Sequence, residues 1–108
     1  MKKYTYIVVR KDMPVNVQMV QAAHVACTAG ETFKNSDSNF VLVGVENNNI
    51  LIELAEELFF NHVKYVMFNE PDNNIGYSSL ATDAYTDKNT RKTISKIFKK
   101  LNIKLWEV

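Results

Sequence analysis

The chain predicts an α/β fold, a three-layer α/β/α sandwich on a mixed, mostly parallel four-stranded sheet. Three observations predict it. Short apolar runs alternate with longer amphipathic stretches in the order strand, helix, strand, helix, strand, strand, helix; the first run shows almost no polar alternation; and two consecutive βαβ units imply crossovers that lay helices on both faces of the sheet. With 108 residues, 46% hydrophobic and 23% charged, the chain is the size of one domain, residues 1–108, with a single core.

"TYIVVR" (residues 5–10) reads as a central strand buried on both faces. Pro14 blocks its continuation, and Asn16 is placed to cap a helix over about 17–33, with Val17, Val20, His24 and Cys27 along one stripe. "FVLVGVE" (40–46) reads as a second strand after the polar stretch "KNSDSN". In "ENNNILIELAEELFFNH" the asparagines suit a cap, and Leu51, Leu54, Ala55 and Leu58 share a side opposite Glu53, Glu56 and Glu57. "KYVMF" (64–68) is a third strand, and "NEPDNNIGY" a turn-rich loop. "SSLATDA" (78–84) reads as a more polar fourth strand with weaker burial. A last helix over about 88–101 aligns Ile94, Ile97, Phe98 and Leu101, with lysines on its back.

Composition excludes several classes. No apolar run approaches the roughly 20 residues of a membrane helix, and "YTYIVV" after the first lysines is too short for a signal peptide, so a cytoplasmic location is expected. The single Cys27 rules out an internal disulfide, and with His24 and His62 the only histidines, no metal site is expected. The net charge of +1 is unevenly spread: ten acidic residues against two lysines between positions 31 and 87, then seven basic residues and no acid between 88 and 104. That asymmetry suits an anionic partner such as RNA, or is a solvated lysine face.

Ligands in such sheets sit beyond the carboxyl ends of the parallel strands, where "RKDMPVNVQ" and "NEPDNN" converge. The start of the first helix offers free N–H groups to an anion, and Gln18, Gln21 and His24, spaced by three, form either a polar ridge or ordinary satisfied and solvated side chains. Glu70 at a strand end is a candidate general base, whereas Asp72, followed by Asn73 and Asn74, has the look of a turn former. Arg10 with Asp12 forms a structural pair or an anion contact.

These stretches resemble the type-2 peptidyl-tRNA hydrolases. Members end their opening strand in Val-Val-Arg-x-Asp-Leu, follow it with a helix carrying Ala-x-Gln-x-x-His-Ala, and run a later strand into an acidic loop; the counterparts here are "VVRKDM" (8–13), "VQAAHVA" (20–26) and "FNEPDNN" (68–74). "SSLATDA" is similar to the returning strand, and the closing basic helix to that of compact bacterial and phage-encoded members. The resemblance implies hydrolysis of the ester between peptide and tRNA, in translation, without metal or cofactor. It implies His24, Glu70 and Gln21 as catalytic residues, Glu70 standing where members carry an aspartate, with Arg10, Lys11, Asp12, Gln18 and Asn74 as substrate-binding candidates. The implied partner is tRNA or another nucleotide-containing ligand rather than a membrane, and a homodimer is left open. Members usually carry Gly-Lys where this chain has Asn16 and Val17, with Lys11 offered as a substitute. Enzyme status therefore stays open, the alternative being a non-catalytic nucleotide- or RNA-binding protein on the same fold.

Overall fold

A computed structural model of the chain describes residues 2–35 and 37–108. At its centre runs β1 (Tyr4–Arg10), whose β-branched residues are buried from both sides, Val8 and Val9 completely. β1 pairs in parallel with β2 (Asn39–Val45) and antiparallel with β4 (Gly76–Thr82). β3 (Tyr65–Glu70) lies antiparallel beyond β4, and the two-residue β5 (Lys104–Leu105) lies antiparallel beside β2, giving the order β3-β4-β1-β2-β5.

This architecture corrects the expected four-stranded, mostly parallel sandwich. The sheet has five strands, and of its four pairings only β1 with β2 is parallel. The reason is local: no helix separates β3 from β4, so the chain reverses through a tight turn and β4 returns antiparallel. The turn is a 3-10 segment, Asp72–Asn74, in which Asn73, Asn74 and the following Gly76 take positive φ, a region that Asn and Gly tolerate best. β4 then fills the slot between β3 and β1 instead of a weakly buried position, and every residue over 78–82 is buried. β5 is too short to leave a periodicity in the sequence.

Three helices flank the sheet: α1 (Val15–Phe33) on one face, α2 (Asn48–Phe60) and α3 (Lys88–Lys100) on the other. α2 buries Leu51, Leu54, Ala55 and Leu58, the predicted stripe, against Val8, Val43, Leu80 and the α3 residues Ile94 and Ile97. Each leucine removed from water there contributes about 1.5–3 kcal/mol. Asn47 caps α2 by accepting the Ile50 N–H at 3.1 Å, and Asp87 caps α3 by accepting from Thr90. α1 differs from its reading. It starts directly after Pro14 with no side-chain cap, so Asn16 does not cap it. It buries Gln18, Gln21, Val25 and Ala29 rather than Val17, Val20, His24 and Cys27; Val20 is 52% exposed, and His24 and Cys27 lie on the surface. Among the described residues no helix is long and apolar enough to cross a membrane.

Candidate functional site

β1, β2 and β3 run in one direction, so the carboxyl ends of β1 and β3 reach one rim of the sheet, together with the start of β4. The first half of α1 crosses above that rim. Arg10, the last residue of β1, grips Asp12 through two bonds (Nε to Oδ1 at 3.0 Å, Nη2 to Oδ2 at 2.8 Å) and donates through Nη1 to the carbonyls of Ile75 and Tyr77. It is the structural pair and also the tie between the β1 exit and the β3–β4 turn. The guanidinium beside Asp12 holds its carboxyl below the usual carboxylate value.

Glu70, the last residue of β3, accepts from Gln21 Nε2 at 3.0 Å through one oxygen and from the Asp72 N–H at 3.2 Å through the other. Those two hydrogen bonds, with a smaller attraction from His24, lower its pKa below the ordinary 4.5. Gln21 is 2% exposed and fully engaged at its carbonyl as well, where Ser78 Oγ donates at 2.6 Å. Ser79 Oγ donates to the Gln21 backbone carbonyl at 3.1 Å. Two successive strand residues ordinarily face opposite sides of a sheet. Here the β3–β4 register shifts between Phe68 and Asn69, leaving Ser78 as the extra residue of a bulge, and both hydroxyls reach the same helix residue.

His24, one turn further along α1, stacks on Phe68 with ring centroids 4.6 Å apart and planes 3° from parallel. Its ring edge is open to solvent beside Glu70, and no ring nitrogen has a hydrogen-bond partner among the described residues.

Gln18 is equally buried, at 3% exposed. Its Nε2 donates to the Met13 carbonyl at 2.7 Å and its Oε1 accepts from Trp106 Nε1 at 2.7 Å, so it locks the 11–13 loop and the C-terminal segment onto α1. The Lys11 stem lies over Gly44, where a Cβ would come within 2.6 Å of Lys11 Cδ, so a side chain there would push the lysine stem aside. Lys11 and Asn74 are exposed, Lys11 near the start of α1 and Asn74 in the turn beyond Glu70.

The structure thus brings Gln21, His24 and Glu70 together, sets Arg10 and Asp12 at the same rim as a mutual pair, and gives Gln18 a structural task. Sequence reasoning missed Ser78, Ser79 and Trp106. The lone tryptophan was a usable signal, since a buried indole N–H needs an acceptor; the bulge that turns both serines inward was not. The basic back of α3 lies across the sheet from this rim. A separate hollow of about 420 Å³, lined mainly by Ala26, Cys27, Gly30, Phe33 and Phe40, opens at the opposite end of α1. Among the described residues no group of three or more His, Cys, Asp or Glu side chains could hold a metal ion.

No family model matches the chain, and no curated protein does. Among solved structures it is similar to a protein of unknown function from Agrobacterium tumefaciens strain C58, with a TM-score of 0.73 over 99% of both chains at 10% identity. At that identity the likeness is one of fold.

Proposed function

We propose that the rim formed by Gln21, His24 and Glu70 is the active site of an esterase acting on peptidyl-tRNA. The observation that carries this reading is the 3.0 Å hydrogen bond from the buried Gln21 to Glu70, which aims a carboxylate at solvent beside an unencumbered imidazole. In this reading Glu70 takes a proton from the attacking water as its oxygen adds to the ester carbonyl, and when the bond to the ribose oxygen breaks that proton passes to the departing oxygen, beside which His24 stands. Gln21, with both ends of its amide engaged, is a positioning residue. Lys11 and the uncapped first turn of α1 take the acceptor-end phosphates. The resemblance of the three motif stretches to the hydrolase family supports the substrate class.

The test is release of the N-acetylated amino acid from N-acetyl-aminoacyl-tRNA by purified protein. Turnover is expected, falling by about 10²-fold or more in Glu70→Gln and in His24→Ala, with circular dichroism unchanged. No release at micromolar protein would overturn the reading.

One observation favours a second reading. Both Glu70 oxygens already accept hydrogen bonds, from Gln21 and from the Asp72 N–H, which favours the charged carboxylate and suits a rim that binds a nucleotide-containing ligand without cleaving it. Saturable binding of intact tRNA with no product would select that reading.

A further inference from the structure

The two edges of the sheet are built differently. β5 is two residues long and carries Lys104, a short charged strand of the kind that discourages pairing. β3 is six residues long, Tyr-Val-Met-Phe-Asn-Glu, with no proline or basic residue in it, and among the described residues its outer side meets no strand. Which of its backbone groups face outward follows from the inner ladder. Just before β3, Lys64 donates its N–H to Tyr85 Oη at 2.8 Å and accepts from the Asp83 N–H at 2.9 Å, so its backbone points toward β4. Alternation then turns the N–H and C=O of Tyr65, Met67 and Asn69 outward.

We propose that β3 pairs antiparallel with β3 of a second copy of this chain, about a two-fold axis at Met67. Only registers that oppose outward-facing residues give hydrogen-bonded pairs, and this one opposes Met67 to Met67 and Tyr65 to Asn69. It places Val66 opposite Phe68 on the α1 side, a β-branched and aromatic pair of the kind that stabilises neighbouring strands. It also sets Lys64 opposite Glu70 of the second copy, twice by symmetry, so the strand is complementary to itself in charge. Glu70 keeps lone pairs free on both oxygens beyond its bonds to Gln21 and Asp72. Past this pair, the Pro71 turn of one copy comes beside a hollow of about 620 Å³ at the start of the other's β3, lined by Phe33, Phe59 and residues 62–65. The assembly is a continuous ten-stranded sheet, and it carries one copy's lysine to the rim of the other's Glu70.

Sedimentation equilibrium of the full chain tests this. A dimer is expected at high micromolar concentration, weakened about tenfold by Lys64→Glu, which turns two attractive cross-strand pairs repulsive. Met67→Pro, which removes an outward N–H and leaves the β4 ladder alone, is expected to be monomeric. If Met67→Pro fails to fold, the charge variants decide: Lys64→Glu mixed with Glu70→Lys restores both pairs and is expected to give a mixed dimer by native mass spectrometry. A wild-type chain that stays monomeric, or a dimer unchanged by Lys64→Glu, would overturn the proposal.

Discussion

The two faces of the sheet hold their helices by different means. Beneath α2 and α3 the contact is aliphatic, with Leu51, Leu54, Leu58, Leu80 and Ile94 wholly buried. Beneath α1 the apolar cluster is smaller, built on Ile7, Val25, Ala29 and Ala81, and the first half of the helix is held by buried polar groups, Gln18, Gln21, Ser78 and Ser79. Apolar attraction has no preferred direction, whereas a hydrogen bond fixes one. The polar face is therefore the one that holds a carboxylate and an imidazole at a set place. No buried side-chain nitrogen or oxygen lacks a partner among the described residues, so this specificity leaves no unsatisfied group behind.

Substitutions on the two faces sharpen the contrast. Leu54→Ala, under α2, is expected to have the largest effect, a loss of about 2–5 kcal/mol in urea-induced unfolding, because the deleted side chain leaves a cavity in closed packing. Gln21→Leu, under α1, leaves the Ser78 hydroxyl only its 3.4 Å contact to Ser79 Oγ and is expected to cost about 1–3 kcal/mol by the same measurement while also releasing Glu70 from α1. Trp106→Phe removes one hydrogen bond to Gln18 and is expected to cost about 0.5–1.5 kcal/mol, with faster amide exchange over residues 11–13. Should Gln21→Leu prove neutral, the α1 face would be ordinary apolar packing and the contrast would fail.

Legibility in the sequence divides along the same line. α2 was readable because its large apolar residues at positions 51, 54, 55 and 58 are the ones buried. The inward stripe of α1 was misplaced because the residues facing the sheet in its first half are glutamines, while the more hydrophobic Val20 points to water. Burial there follows from partners on β3, β4 and the C-terminal segment, which lie 49 to 88 residues away in the chain. β4 looked peripheral for the same reason: its serines and threonine are buried with hydrogen-bond partners, so hydrophobicity understates its depth. The meeting of Gln21, His24 and Glu70 was legible because it needed only strands one and three to end at one rim, and both do run in that shared direction, although the antiparallel β4 lies between them.

Acid should reveal the polar face last in size but most directly. A carboxyl whose pKa is lowered in the folded state stabilises the fold above its unfolded value, here 4.5 for Glu70, and that contribution is lost as pH falls through the lower folded value. Following the Glu70 side-chain carboxyl by carbon-detected NMR from neutral pH downward, in the wild type and in Gln21→Leu, measures this. The account predicts a wild-type midpoint below 4.5 that moves up in the variant. A midpoint at the ordinary value in both chains would contradict it, because Glu70 would then be held by nothing on α1.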